Sequence, residues 1–282
     1  LVAEAGREGE LAAAFAAALV SGRLGRWDEL LISSMNGESQ LPRLCRQALE
    51  ARGLDVELEE WSACPYIPLP KTWEEYLAGL TRSHRGLVRK SLREFEAWAG
   101  KPPTLTRVTS LDAIPEGRRI LIELHSQRWE TEGGGAFDSA KFRAFHDRLM
   151  PDLLATGALD LGWLNGRDGP VAAFYNFRHN GRLYHYQSGR RRDVSQKVSV
   201  GMVMHACAIR WAIEQGLREY DFLAGASHYK RSLSIAMRPL LKLRVARPSL
   251  RELARRGSVR GAVHARRLRA WARGHIPARL QG

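Results

Sequence analysis

The segment Tyr220-Asp221-Phe222-Leu223-Ala224-Gly225 sets one carboxylate in an apolar run. Such a carboxylate is either hydrogen-bonded into the structure or, beside a reacting group and with a suitable pKa, a general base. Just beyond it, His228 and Tyr229 can shuttle a proton or pack on a substrate, and Lys230 can bind an anion or carboxylate. Upstream, His125 and Trp129 stand four apart, on one face of a helix, where they can line a cleft before Gly133-Gly134-Gly135. The run Gly189-Arg190-Arg191-Arg192-Asp193-Val194-Ser195-Gln196-Lys197-Val198-Ser199 leads into Val200-Gly201-Met202. Basic side chains next to the free amides of a helix start can bind phosphate, and Gly201 permits close backbone approach. No GxxxxGK[ST] run is present, so this is not a P-loop; the plainer reading is an exposed basic connector.

Metal and thiol chemistry find little support. Cys45, Cys64 and Cys207 are odd in number and widely spaced, which gives neither a disulfide framework nor a paired CxxC site. Cys207 lies in an apolar helical pattern and reads as a buried structural thiol. His125 and His146 have no close acidic or cysteine partner in sequence, so no metal is expected.

These residues need elements to position them. Period and breakers predict helices over 11–19, 40–52, 114–129, 142–154, 198–215 and 227–233, and strands over 27–33, 55–61, 105–108, 158–164, 171–178, 183–187, 220–223 and 240–245. Asn180-Gly181 predicts a tight hairpin turn. Pro65, Pro68 and Pro70 suggest a stiff connector. Thr72 with Glu75 matches a capping box and opens a long helix running to Trp98. If that helix continues through Gly86, Arg82, Arg85, Arg89 and Arg93 form one basic stripe, which is a solvated face, an anion-binding one or one packed against an acidic surface. Lys101-Pro102-Pro103 is the best internal boundary. The expected domains are 1–100, 101–248 and a basic extension over 249–282, where 250–273 has an amphipathic helical pattern weakened by two glycines.

The chain has 282 residues with 44% hydrophobic and 26% charged, which excludes a disordered or collagen-like polymer. No apolar run approaches the ~20 residues of a membrane span, and the stretch over 11–20 lacks the basic lead of a signal peptide. Residues from Ser249 on carry nine arginines against one glutamate, +8 of the net +14. That charge suits phosphate, RNA or another anionic surface without establishing any of them. A cytoplasmic protein, peripheral to the inner membrane at most, is expected.

In order and spacing, several segments resemble the CelD/BcsL-like acetyltransferases of the GNAT superfamily. They are the 73–93 segment, Leu124-His125-Ser126-Gln127-Arg128-Trp129, the 134–137 segment, Phe145-His146, Asp168-Gly169-Pro170-Val171-Ala172-Ala173, Tyr184-His185-Tyr186-Gln187-Ser188-Gly189, Ser199-Val200-Gly201, the Tyr220–Gly225 run and Tyr229-Lys230. Coverage is about residues 24–246. Val200 departs from the proline often found between Ser and Gly, and the full Q/RxxGxG/A cofactor signature is missing.

The resemblance implies a mixed α/β, GNAT-like fold of two tandem related halves, the first degenerate, as in peptidoglycan-bridge aminoacyltransferases. It implies acetyl-CoA or another acyl-CoA as co-substrate, with β-bulged central strands opening a cleft for the thioester. The helix start would take the pyrophosphate through Arg190, Arg191, Lys197, Ser199, Val200, Gly201 and Met202. The acceptor would be an amine on a sugar or cell-envelope precursor, as in polysaccharide biosynthesis. Asp221 is then the first candidate base, His125 the second, and Tyr229 the acid for the leaving thiolate. Trp129, Tyr186, Gln187, His228 and Lys230 would contact substrate. Two alternatives stand beside this reading: aminoacyl transfer from tRNA to a peptide precursor, and a noncatalytic binder of nucleic acid or envelope built on a degenerate acyltransferase fold.

Overall fold

Alternating and helical apolar periods produce most of the predicted elements, and where they fail a cap or a proline explains the difference. The computed structural model describes residues 1–129, 134–195, 197–225, 228–249 and 252–255. The predicted helix over 250–273 therefore lies outside the described residues, apart from 252–255. By contacts the chain divides into Leu1–Ser62 with Pro239–Gly282, and Ala63–Arg238.

The smaller unit holds α1 (Glu8–Val20), β1 (Glu29–Asn36), α2 (Leu41–Glu50), the first part of β2 (Asp55–Pro68) and most of β8 (Ala236–Ala246). Strand order is β1-β8-β2, with β1 antiparallel to β8 from Glu29↔Ala246 to Asn36↔Leu240. Ala12, Ala16 and Leu19 pack with Cys45, Leu49, Leu243 and Val245. Glu252, the acidic residue within the basic extension, accepts from Arg244 at 2.8 Å.

The larger unit adds α3 (Trp73–Gly79), α4 (Arg82–Ala99), β3 (Leu105–Arg107), α5 (Ile114–Trp129), α6 (Ala140–Ala155), β4 (Leu159–Asn165), β5 (Pro170–His179), β6 (Arg182–Arg190), α7 (Val200–Glu214), β7 (Glu219–Asp221) and α8 (His228–Leu233). Its sheet runs β2-β7-β6-β5-β4-β3. Neighbours are antiparallel, but β6 and β7 are parallel. Side chains alternate across the pleat. Leu159, Leu161, Trp163, Ala173 and Tyr175 meet α5 and α6, whereas Leu164, Ala172 and Phe174 meet Phe95 of α4 and Val200, Val203 and Met204 of α7. Covering on both faces explains the nearly continuous apolar runs of β4 and β5. Asn180 and Gly181 take φ of 48° and 69°, the positive pair that the tight β5–β6 turn requires.

Two expectations change. Thr72 and Glu75 do form the capping box, but the helix stops at Leu80, whose ψ of 152° is extended. Thr81 Oγ1 then accepts from the His84 amide and starts α4, a second cap that competes with the long apolar period. The helix α4 does run through Gly86, so the four arginines share one element, with Arg82, Arg89 and Arg93 exposed and Arg85 half-buried. The proline segment is no connector: β2 continues through Pro65 to Pro68. Pro65 supplies only its carbonyl, which accepts from the Phe222 amide at 3.0 Å, so its missing N–H removes nothing from the ladder there.

Candidate active site between two parting strands

Strands β6 and β7 touch over three pairs, Arg182↔Glu219, Leu183↔Tyr220 and Tyr184↔Asp221. There β7 ends, while β6 continues to Arg190. Just past the last pair β6 bulges: His185 faces Asn176 and Gln187 faces Tyr175, which leaves Tyr186 as the extra residue. A bulge bends its strand and re-aims side chains. Beside it lies a cavity of about 330 Å³.

Residues from three distant segments meet in its wall: Arg128 and Trp129 from α5, His185 to Ser188 from β6, and Phe222 to Gly225 with Tyr229 and Lys230. Trp129, Tyr186, Gln187, Tyr229 and Lys230 are thus brought together, and His228 opens α8 beside Tyr229. Arg128 donates to Ser188 Oγ at 2.7 Å, with its guanidinium carbon 5.0 Å from the Trp129 ring centre. Lys230 Nζ donates to Phe222 O at 2.8 Å and to Ala224 O at 3.0 Å. Burial lowers the Lys230 pKa, and Arg128 adds to the effect. Among the described residues two cationic groups line the cavity and no carboxylate does, so this wall favours an anionic group on whatever enters.

Asp221 stands behind this wall. Its Oδ1 accepts from the Leu223 amide at 2.7 Å and its Oδ2 from Arg238 at 2.8 Å. Arg238 also donates to Glu219 at 2.7 Å. Burial raises the Asp221 carboxyl pKa, opposed by the Leu223 N–H and Arg238. The carboxylate holds the turn after β7, where Leu223 is left-handed at φ 57°. His125 is also behind the wall, 1% exposed, with Nε2 3.2 Å from Gln187 Oε1. Burial lowers its pKa, against the Gln187 bond.

The basic loop lies elsewhere. Arg191 lines a separate 450 Å³ concavity with Arg119, Glu123, Asp168, Arg192 and Asp193, and it is paired with Asp193. Arg190 and Lys197 are exposed. Ser199 precedes α7 without a side-chain cap, Val200 and Met202 point into the core, and a Cβ on Gly201 would meet nothing within 4 Å. The Val200 amide donates to Val198 O at 3.1 Å, and the next first-turn amides, without partners within the helix, are left open to an anion. Among the described residues no group of three His, Cys, Asp or Glu is placed to hold a metal. No described helix is long and apolar enough to cross a membrane.

Sequence reasoning missed a polar row on the α7 side of the sheet. Arg107 Nε donates to Asp160 Oδ1 at 2.8 Å, Asn176 Nδ2 to Asp160 Oδ2 at 2.7 Å, and Asn176 Oδ1 lies 2.9 Å from His185 Nδ1. Asp160↔Asn176 and Asn176↔His185 are direct cross-strand partners, so the row spans β3, β4, β5 and β6 and ends at the cavity. Asp160, Asn176 and His185 interrupt runs of apolar and aromatic residues in their strands, which was the available signal; Arg107 gives none. Burial, then the neighbouring His205, Lys230 and Arg128 charges, holds the His185 pKa well below 6.5.

This arrangement, a mixed sheet that opens beside a bulged strand with a helix start at the far end of that strand, lies within the part of the chain that the family comparison covers. The acetyltransferase (GNAT) domain pattern matches residues 82–231, and the chain belongs to that family. In fold it is similar to FemX, with a TM-score of 0.59 at 12% identity over 85% of this chain and 78% of that one. It is similar to a conserved protein of unknown function from Bacteroides thetaiotaomicron, with a TM-score of 0.58 at 12% identity over 84% and 76%. It is also similar to L-PGS from Bacillus licheniformis, with a TM-score of 0.50 at 12% identity over 79% and 69%. No curated protein matches the chain in sequence.

Proposed function

We propose that the chain transfers an acyl group to an amine of a cell-envelope precursor in the cavity between β6 and β7, and that the group arrives as an aminoacyl ester on tRNA. The carrying observation is the cavity itself: two cations, a neutral imidazole and aromatic walls beside a bulged strand. Its charge suits an amine whose neighbouring carboxylate or phosphate meets Arg128 or Lys230. For the donor, support comes from the sequence resemblance to peptidoglycan-bridge aminoacyltransferases, the missing Q/RxxGxG/A signature, and the likeness in fold to FemX and L-PGS. On this reading the chain carries two related halves in tandem, and the exposed arginines of α4 meet RNA phosphates.

Tyr229, in the cavity wall and stacked on His205 at 5.1 Å, is the proposed acid for the leaving group. Lys230 shapes the 222–225 turn through its two carbonyl bonds and presents its charge to substrate. His125 orients Gln187, and Asp221 holds the turn; neither acts as the base. One observation favours the second reading, a CelD/BcsL-like enzyme using acyl-CoA: the open start of α7 at Gly201 can take a pyrophosphate.

The protein should be incubated with charged tRNA and, separately, with an acyl-CoA panel, each with muropeptide and amino-sugar acceptors. Amide product from charged tRNA alone supports the first reading. Product only from acyl-CoA replaces it with the second, and no product from either overturns both.

A further inference from the structure

The row across the sheet has a direction. A carboxylate only accepts hydrogen bonds, so Asp160 Oδ2, 2.7 Å from the Asn176 amide, must face its NH₂ group. That turns Asn176 Oδ1 toward His185. Because Oδ1 is itself only an acceptor, His185 Nδ1 at 2.9 Å must carry a hydrogen. A neutral imidazole has one N–H, so the Nε2 lone pair is left free.

Neutrality follows from the surroundings. His185 is 5% exposed, its cavity wall holds Arg128 and Lys230, and among the described residues no carboxylate is bonded to the ring. The His205 ring meets it edge-on at 4.5 Å, and His205 Nδ1 is itself engaged by Tyr220 OH at 3.0 Å. With Nδ1 turned into the sheet, the opposite edge of the ring serves the cavity.

We propose that His185 is a catalytic residue of the transfer, its Nε2 taking the proton of the attacking amine, and that Asn176 and Asp160 are positioning residues that hold it in this tautomer. The inference rests on the acyl-transfer reading above. The amine must enter neutral, which the cationic wall favours by opposing a third positive charge. As the N–C bond forms, the nitrogen of the adduct becomes far more acidic than a free ammonium, so a weakly basic imidazole suffices. The proton passes to Nε2; Tyr229, in the same cavity wall, gives its hydroxyl proton to the departing oxygen or sulfur as the ester C–O or thioester C–S bond breaks, and the imidazolium then returns a proton to Tyr229. His185 returns neutral, and the charges balance. The motif Tyr184-His185-Tyr186 thereby has its middle residue at the chemistry and its last at the bulge.

The test joins a spectrum to a rate. In protein labelled with ¹⁵N-histidine, and with the signal assigned by its loss in His185→Gln, long-range ¹H–¹⁵N correlation should show Nδ1 protonated and Nε2 bare. In Asn176→Ala the restraint goes, and the signal should move toward the Nε2–H form. An Nε2–H tautomer in the wild type overturns the proposal without any activity measurement. In the transfer assay, His185→Gln keeps a hydrogen-bond acceptor but cannot carry a proton. Its kcat should fall by about 10²–10⁴-fold, with KM changed little. A transferring wild type whose His185→Gln variant keeps its kcat overturns the role of His185 alone. A wild type that transfers nothing from either donor class overturns the acyl-transfer reading and the catalytic role with it.

Discussion

Moving this protein from pH 8 to pH 5.5 should remove about 1.4 kcal/mol of its folding stability through His205, and more in the same direction through His185. Both are buried among rings and hydrogen-bonded. Burial first, and then nearby cations, lowers the His205 pKa to about 3 and the His185 pKa well below 6.5. In the unfolded chain each titrates near 6.5, so below that pH the unfolded state binds more protons. The stability they contribute is complete above about pH 6.5 and is lost as pH falls toward the folded values. One such group contributes a slope of about 1.4 kcal/mol per pH unit, and one unit below 6.5 His205 has cost about 1.4 kcal/mol, with His185 adding to it. Against a usual total of about 5–15 kcal/mol, the loss is measurable. Urea unfolding followed by far-ultraviolet circular dichroism at half-unit steps from pH 8 to 5.5 gives the slope. His205→Gln should lower it by about one proton's worth, whatever its effect on absolute stability. A slope unchanged in that variant would refute the claim that burial keeps His205 neutral.

Arg238→Leu leaves Glu219 and Asp221 buried without their shared cation and should cost about 3–5 kcal/mol in urea unfolding. Gly189→Ala would place a Cβ 2.2 Å from the His125 amide nitrogen and 2.3 Å from the Leu124 carbonyl carbon; neither backbone atom can swing aside, so a loss of about 3 kcal/mol is expected, read from the melting temperature. Lys230→Met removes both bonds to the 222–225 turn and one of two cavity charges. It should raise KM for an anionic acceptor by about tenfold or more, at about 1.4 kcal/mol per tenfold step, in the transfer assay.

Much of the framework was legible because its signals are local. Thr72 with Glu75, Asn180-Gly181, and the periods of α5, α6 and α7 announce themselves within a few residues. The break at Leu80 was not, because the apolar period runs across it and only the Thr81 side chain marks the new start. Pro65 and Pro68 misled because a strand tolerates proline wherever only the carbonyl is needed. In the site, Trp129, Tyr186, Gln187, Tyr229 and Lys230 were nameable from residue type, and the fold gathers them. His185 was hidden between better-marked neighbours. Its chemistry depends on Asp160 and Asn176, 25 and 9 positions away in the chain, and cross-strand register is not visible in a single strand's pattern.

The hydrogen-bonded row also separates the place where a property is written from the place where it is used. Every bond in it is oriented by the acid at Asp160, two strands from the cavity, much as a single arrow sets the sense of a line of dominoes. Asp160→Asn would preserve shape and nearly all volume, yet Arg107, which can only donate, would hold the new amide oxygen and turn its NH₂ toward Asn176; Asn176 would then present its own NH₂ to His185 Nδ1, and the lone pair would move there from Nε2. A substitution that touches neither ligand nor cavity should therefore change the chemistry at the far end while leaving the fold in place, and the His185 nitrogen spectrum of Asp160→Asn, moved toward the Nε2–H form, is where that change is to be seen.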